Sequence, residues 1–287
     1  MKNILIPFDF GKIGLNAMKY AFQMHKEEAK YVILHILDGN LSLQDPLTYT
    51  AGLTRGDSII NEMDRLAAET LAELSADYPF LSEVEVGSTV ELIVDKVEKG
   101  HFDAVVMGTR DKYDLFDKWL GTVSLGVVKR VGVPVYLIPN QAEYKKINRV
   151  VIATDHHLES DRILEYLLEW NANYKADLHF VHIIDQKGKN EGFLRNIVEE
   201  YFEKRNLDFP FTVIQKEKGD IVKELINYSE QKEADLQVMI TDKMSWLETM
   251  VSGSISKKMI LKARKPTLFL PSGLKKRSQI LFSSAAI

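Results

Sequence analysis

Two glycine-containing segments near residue 110 carry the residue types and the spacing of a phosphate site. Gly108 ends the apolar run at residues 105–107, and a glycine lets backbone approach a ligand closely because it has no Cβ atom. Gly121 and Thr122 open a helical pattern, and the free N–H groups and dipole of a helix N-terminus favour an anion. Ser124 adds a second hydroxyl. The pattern therefore predicts a site for the phosphates of a nucleotide.

Several other chemistries lack the residues that they need. The chain contains no cysteine, which excludes disulfides, thiolate nucleophiles and Cys-ligated metals. His156 and His157 are adjacent but have no evident third ligand in the sequence, so we predict no metal site. The sequence has no Walker A lysine loop, no nucleophile elbow and no Gly-x-Gly-x-x-Gly fingerprint for flavins or dinucleotides. We predict a binding protein and not an enzyme, with slow hydrolysis of a bound nucleotide left open.

The composition is that of an ordinary soluble protein. Hydrophobic residues make up 45% and charged residues 27% of the 287 residues, which is enough material for about two domains. The 37 Lys and Arg against 41 Asp and Glu give a net charge of −4. We expect no nucleic-acid partner, because binding to a phosphate backbone requires a concentrated basic face. The apolar runs are shorter than the roughly 20 residues that span a bilayer, so we expect a cytoplasmic location without a membrane partner.

The elements that must position this site are arranged in one pattern that occurs twice. Residues 3–9 recur at 149–155, an offset of 146, and residues 133–139 recur at 265–271, an offset of 132. The decrease in offset indicates that one loop is shorter in the second copy. The predicted boundaries are 1–140 for the first domain, 147–271 for the second domain and 272–287 for a C-terminal tail.

Within each copy, short apolar runs rich in β-branched residues alternate with helical patterns. In the first copy the predicted strands cover residues 3–8, 31–37, 83–87, 104–107 and 133–138. Five strands and four intervening helices predict a doubly wound, Rossmann-like α/β domain with a five-stranded, mainly parallel sheet. Such sheets bind ligands outside the carboxyl ends of their strands, where the strand order reverses. The residues that follow the first and fourth strands are therefore the candidates for a site.

The last predicted strand of each copy contains a proline, Pro134 in the first copy and Pro266 in the second. Because proline cannot donate a ladder hydrogen bond, each of these strands is expected at a sheet edge. Two such edges in one chain predict that the copies pair edge to edge as an intramolecular pseudo-dimer. Whether two chains also associate as a homodimer stays open.

Together these features resemble the universal stress protein family in its tandem form, over almost the whole chain. Nucleotide-binding members of that family carry Gly-x2-Gly-x9-Gly-[Ser/Thr] after the fourth strand and an Asp at the end of the first strand. In this chain Gly108, Gly121 and Thr122 match that motif at the correct spacing. Asp9 matches the Asp, and residues 133–135 match the Val-Pro-Val of the family's last strand.

The resemblance implies a stress-response protein that binds ATP or a similar adenine nucleotide, with or without Mg²⁺, as a regulatory ligand in the first domain. By that resemblance Asp9 and Ile36 would contact the adenine or its neighbourhood. Met107 and Gly108 would lie along the nucleoside. The residues that would hold the phosphates are Gly121, Thr122, Val123 and Ser124.

Asp111 stands where the family motif has its second glycine. Asp tolerates left-handed backbone angles better than most residues, so the turn is expected to form. Its carboxylate would face phosphate, which is unfavourable unless a cation intervenes, and the flanking Arg110 and Lys112 offset part of that charge. Two interpretations therefore stay open. The first domain binds a nucleotide, or the chain is a scaffold of the same fold that binds none and acts through protein partners.

The second copy keeps less of the motif. Ile240 stands in place of the first motif glycine and adds a side chain where backbone must approach closely. The candidates for an anion site in this copy are Asp155, Lys243, Gly253, Ser254 and Ser256. An anion site stays open there, and a complete ATP site is not expected.

Two sets of candidates also have plainer interpretations. Asp9 and Asp155 are placed to cap the helices that follow them. His35 and His182 lie within apolar strands, which is more typical of hydrogen-bonded core histidines than of ligands.

Overall fold

A computed structural model describes residues 1–37, 46–109, 122–154, 161–184, 200, 203, 211–217, 221–241, 265–271 and 273–274. These residues belong to two compact units. The first unit comprises Met1–Tyr144 and the second comprises Lys145–Leu274.

The first unit contains a sheet of five parallel strands in the order β3-β2-β1-β4-β5. The strands are β1 (Lys2–Pro7), β2 (Ala29–Leu37), β3 (Phe80–Val86), β4 (Ala104–Thr109) and β5 (Val135–Pro139). The helices are α1 (Lys12–His25), α2 (Pro46–Glu73), α3 (Thr89–Gly100) and α4 (Thr122–Arg130), with a short 3-10 turn at Lys26–Glu28. The predicted doubly wound α/β architecture is therefore confirmed.

The second unit repeats the same order of strands, β8-β7-β6-β9-β10, and its strands are also parallel. The strands are β6 (Arg149–Thr154), β7 (Asp177–Ile184), β8 (Phe211–Glu217), β9 (Leu236–Thr241) and β10 (Thr267–Pro271). The described helices of this unit are α5 (Asp161–Asn171) and α6 (Ile221–Gln231).

Burial explains why the apolar runs become central strands and the periodic segments become helices. Ile4, Leu5 and Ile6 of β1 are fully buried, as expected for a parallel strand with helices on both faces. One side of α1 is buried through residues at helical spacing, among them Ala17, Ala21 and Met24. Burial of that apolar stripe against the sheet stabilises the helix far more than its intrinsic propensity does.

The topology defines where a ligand site is expected in the first unit. The chain passes from β1 through α1 to β2 on one side, and from β4 through α4 to β5 on the other. Because such crossovers are right-handed, α1 and α4 lie on opposite faces of the sheet. The order reverses between β1 and β4, which pair through Ile4–Ala104 and Leu5–Val105. The crevice at the carboxyl ends of these two strands is the switch point where open α/β sheets bind ligands.

The last strand of each unit begins after its proline and not before it, which corrects the predicted boundaries. β5 starts at Val135, and the carbonyl of Pro134 accepts a hydrogen bond from the N–H of Val105 at 2.9 Å. In the second unit the carbonyl of Pro266 accepts from the N–H of Gln237 at the same distance. A proline at this point contributes its acceptor to the ladder and needs no donor, so it marks the start of the strand.

Candidate functional site

Asp9, the residue expected beside the adenine, lies in the turn between β1 and α1. Its side chain is exposed, and its Oδ1 accepts a hydrogen bond from the N–H of Gly11 at 3.0 Å. A Cβ atom on Gly11 would lie 3.0 Å from that oxygen, and one on Gly14 would lie 2.8 Å from it. The two glycines therefore let the carboxylate lie against the first turn of α1, where the helix dipole favours negative charge. Asp9 thus binds the N–H of Gly11, the N-cap residue of α1, and not an N–H group within the helix. Its Oδ2 has no partner among the described residues.

An aromatic cluster follows Asp9 on the α1 side of the sheet. Phe10 has a φ of 62°, and its ring lies 4.9 Å from the ring of Phe8 and 4.8 Å from that of His35. Nδ1 of His35 lies 2.8 Å from the carbonyl oxygen of Phe8. Since a carbonyl only accepts, Nδ1 carries the proton. His35 is thus a hydrogen-bonded structural histidine, and the half-buried Ile36 points to the opposite face of the sheet.

Gly108 lies at the carboxyl end of β4, directly beside the first turn of α1. A Cβ atom on Gly108 would overlap Cγ2 of Ile13 and would lie 2.8 Å from the carbonyl oxygen of Ile13. The absence of a side chain at Gly108 is therefore required for α1 to approach the sheet. The sequence-based reason for this glycine, close approach of a ligand, is not needed to explain it. Met107, its neighbour, is 5% exposed and points to the other face.

Hydroxyl groups lie on that other face, where α4 begins. Thr109 ends β4 and is 4% exposed, and its Oγ1 has no hydrogen-bond partner in the part of the chain that the structure describes. Ser124, in the first turn of α4, is 5% exposed, and Val123 beside it is half-buried. The first N–H groups of a helix have no partners within the helix. The carboxyl end of β4 and the amino end of α4 therefore form an environment that favours an anion.

The remaining predicted residues lie partly or wholly outside the described part of the chain. In the first unit these are Arg110, Asp111 and Gly121, together with the side chain of Thr122, although Thr122 itself begins α4. In the second unit all five candidates for an anion site lie outside the described residues: Asp155, Lys243, Gly253, Ser254 and Ser256. Ile240, at the position that corresponds to Gly108, is 5% exposed. The predicted contacts of these residues stay predictions.

The described residues contain no group of three or more His, Asp or Glu side chains that could hold a metal ion. Nor does any described helix combine the length and the apolar character needed to cross a membrane.

Comparison with known proteins identifies the family. A model of the universal stress protein family matches residues 1–139 and, separately, residues 146–271. The chain belongs to the universal stress protein family. It contains two tandem copies of the family domain, and the carboxyl edge of the first copy carries the candidate site.

Individual relatives support the same conclusion. Universal stress protein MJ0531 of Methanocaldococcus jannaschii is 26% identical to this universal stress protein over 140 residues, which are 48% of this chain and 81% of that protein. The crystal structure of a universal stress protein from Archaeoglobus fulgidus DSM 4304 is 19% identical, with a TM-score of 0.71. That match covers 94% of this chain and 96% of the other, so it shows the fold of the whole tandem protein.

A universal stress protein whose crystal structure contains cAMP is also similar to this chain. It is 19% identical and has a TM-score of 0.38, and the match covers 48% of this chain and 96% of the other. That protein binds an adenine nucleotide. The likeness is too low for its ligand to be transferred to this chain.

The site contains one residue that the sequence reasoning missed. Thr109 follows Gly108 within the Gly-x2-Gly motif, at a position that the motif leaves unspecified. The sequence contained one indication of it, because Thr109 is a residue with a hydroxyl group at the end of an otherwise apolar strand beside the switch point. Sequence alone did not indicate that this hydroxyl is buried without a partner.

Proposed function

We propose that this universal stress protein is a stress-response protein that binds ATP or a similar adenine nucleotide as a regulatory ligand, chiefly in its first unit. The observation that carries the proposal is the position of the polar groups around the switch point. Asp9 lies in the turn after β1, while Thr109 and Ser124 lie on the neighbouring β4 and α4. Two described residues of the family's nucleotide motif, Gly108 and Thr122, lie in β4 and at the start of α4.

The described residues suit different parts of such a ligand. The amino end of α4, with the buried Ser124, suits phosphates because helix N-terminal N–H groups donate to anions. Asp9 has a carboxylate oxygen available for a donor on the base or the ribose. The half-buried Ile36, near the carboxyl end of β2, offers apolar surface, which most small-molecule sites contain, whereas Met107 is 5% exposed.

We propose that Mg²⁺, where it takes part, enters this site together with the triphosphate, whose oxygens are ligands for it. Its charge would offset the carboxylate of Asp111, which replaces the second motif glycine. The ion would therefore matter most for the triphosphate and less for a monophosphate.

The proposed role is binding and not catalysis. Among the described residues near the crevice, Asp9 is engaged with the N–H of Gly11 and His35 with the carbonyl of Phe8. These contacts give each group a structural role, and general acid–base catalysis would in addition require the group to lie within hydrogen-bond distance of the reacting atom. Phosphate release, measured over hours in the binding samples, tests for slow hydrolysis.

Titration of the full chain with ATP and Mg²⁺ by calorimetry tests the proposal. We expect saturable binding, and we expect Gly121→Asp to abolish it because the substitution adds bulk and negative charge at the amino end of α4. The matched control is Gly253→Asp at the corresponding position of the second unit, which should leave the first site intact. Asp111→Gly should strengthen binding about fivefold by removing a charge near the phosphates.

The opposite result would overturn the proposal. If the unsubstituted chain shows no saturable binding at millimolar nucleotide, the alternative function is favoured. In that case the protein is a stress-signalling scaffold that acts through protein partners, and Asp111 explains why the nucleotide is excluded.

A further inference from the structure

Thr109 is a buried polar residue that the fold itself does not explain. Its side chain is 4% exposed, and Oγ1 forms no hydrogen bond within the described residues. Buried hydroxyl groups in folded proteins nearly always have partners, because leaving one unpaired is unfavourable. A valine has almost the same shape and would fill this position without an unpaired group. A hydrogen-bond partner for this hydroxyl is therefore expected outside the described residues of the chain.

The direction of the Thr109 side chain follows from its neighbour in the strand. The Cβ direction of Gly108 leads to Ile13 of α1. Successive residues of a strand point to opposite faces of the sheet. Thr109 therefore points away from α1 and toward the face on which α4 lies.

The amino end of α4 on that face favours negative charge. Thr109 is the last residue of β4, beside the switch point. Helix α4 begins on the same face, and Ser124 is buried in its first turn. A hydroxyl next to a helix N-terminus is well placed to donate to the oxygen that the helix attracts. A phosphate oxygen is such an acceptor, and hydrogen bonds to charged acceptors are the stronger ones.

We propose that Thr109 Oγ1 donates a hydrogen bond to a phosphate oxygen of the bound nucleotide. Thr109 is then a specificity-determining residue that favours phosphorylated adenine nucleotides over adenosine. This inference rests on the proposed nucleotide-binding function and adds to it a named side chain and a preference that can be measured.

The test compares the affinities of the full chain for ATP with Mg²⁺ and for adenosine in three forms: unsubstituted, Thr109→Val and Thr109→Ser. Thr109→Val should weaken ATP binding about tenfold, since it removes a hydrogen bond to a charged acceptor, and should leave adenosine binding unchanged. Thr109→Ser keeps the hydroxyl and should retain most of the ATP affinity. The matched control is Thr241→Val, at the end of β9 in the second unit, which should change neither affinity.

A second measurement separates ligand binding from a structural role. Without ligand, Thr109→Val should unfold at a higher denaturant concentration than the unsubstituted chain, because it removes an unpaired buried hydroxyl. A threonine with a structural role would give the opposite change. Stabilisation of the free protein together with loss of ATP affinity is therefore the expected combination.

Three outcomes overturn the inference. If Thr109→Val binds ATP as tightly as the unsubstituted chain, the hydroxyl does not contact the ligand, while nucleotide binding itself stands. If ATP and adenosine lose affinity equally, the contact is to the nucleoside and not to phosphate. If the unsubstituted chain binds no ATP at all, this inference and the proposed function are both wrong.

Discussion

The two units of this universal stress protein have the same structure at the amino ends of their strands and differ at the carboxyl ends. At the amino edge of the first unit, Oδ2 of Asp103 accepts a hydrogen bond from the N–H of Asn3 at 2.7 Å. In the second unit, Oδ2 of the corresponding Asp235 accepts from the N–H groups of Asn148 at 2.9 Å and Arg149 at 3.0 Å. In both units a carboxylate before the fourth strand thus fixes the start of the first strand.

The carboxyl edge shows the difference. The fourth strand of the first unit ends with Gly108, packed against Ile13 of α1, and with the unpaired hydroxyl of Thr109. The corresponding position of Gly108 in the second unit is the buried Ile240. The first unit requires glycine at this position because α1 packs against it, while the second unit accommodates isoleucine. Both units keep the carboxylate at the amino ends of their strands. Packing against α1 accounts for Gly108, whereas the unpaired hydroxyl of Thr109 is the feature at this end of β4 that packing does not explain.

The largest expected effect tests the packing of Gly108. Gly108→Ala places a Cβ atom against the main chain of Ile13, and overpacking of this kind lowers the free energy of unfolding by about 3 kcal/mol. Hydrogen exchange of the strand amides of Leu5 and Val105 reports this loss in the first unit. Gly132→Ala is the control, since a Cβ atom there has no neighbour within 4 Å. Equal exchange rates in the two variants would show that α1 does not depend on the glycine.

The ends of α1 and α5 give a second contrast between the units. Asn171, the last residue of α5, is fully buried and exchanges two hydrogen bonds with the main chain of Ala176, at 3.0 and 2.9 Å. His25, the last residue of α1, is 5% exposed, and its Nε2 has no partner among the described residues. Burial, and secondarily the charge of Lys2, lowers the pKa of His25 to about 3.

His25 should therefore make the first unit sensitive to acid. The folded chain keeps this imidazole neutral, while the unfolded chain binds a proton near pH 6.5. The contribution of His25 to stability is complete above that pH and falls by about 1.4 kcal/mol for each unit as the pH decreases toward 3. Urea midpoints between pH 7.5 and 5 measure this slope. His25→Leu should flatten it in the first unit alone, and an unchanged slope would show that other groups cause it.

These contrasts also show which features could be predicted from sequence. The repeat of residues 3–9 at 149–155 was sufficient for two copies of one α/β fold, and the position of Asp9 at the end of the first strand followed from it. The reason for Gly108 could not be predicted, because residue spacing does not indicate which helix approaches a strand. For the same reason, neither the burial of the Thr109 hydroxyl nor that of His25 was evident. Each depends on a face or a neighbour that only the folded chain defines.

A third contrast concerns how the helix before the fourth strand is attached to the sheet. In the second unit, Tyr228 of α6 lies 2.8 Å from Nδ1 of His179, whose Nε2 lies 2.9 Å from the carboxylate of Asp177. Because a carboxylate only accepts, Nε2 carries the proton and the Tyr228 hydroxyl donates to Nδ1. Tyr228 is 4% exposed, and burial, with the charge of Asp177, raises the pKa of its hydroxyl.

The corresponding attachment in the first unit is an ion pair at the surface. Lys96 of α3 contacts Glu83 and Glu85 of β3, and the three side chains are between 23% and 30% exposed. Partly exposed ion pairs contribute at most about 1 kcal/mol to the free energy of unfolding. A buried acceptor that loses its donor costs about 1–2 kcal/mol.

The smallest expected effect follows from that difference. Tyr228→Phe should lower the free energy of unfolding of the second unit by about 1–2 kcal/mol, because it leaves Nδ1 of His179 buried without a donor. Lys96→Met in the first unit should lower it by roughly 0.5 kcal/mol, and added salt should abolish that smaller difference. Denaturant unfolding at low and high salt measures both. If Lys96→Met were the more damaging variant, the surface ion pair and not the buried hydrogen bonds would be the stronger attachment. The two units would then differ in the opposite sense.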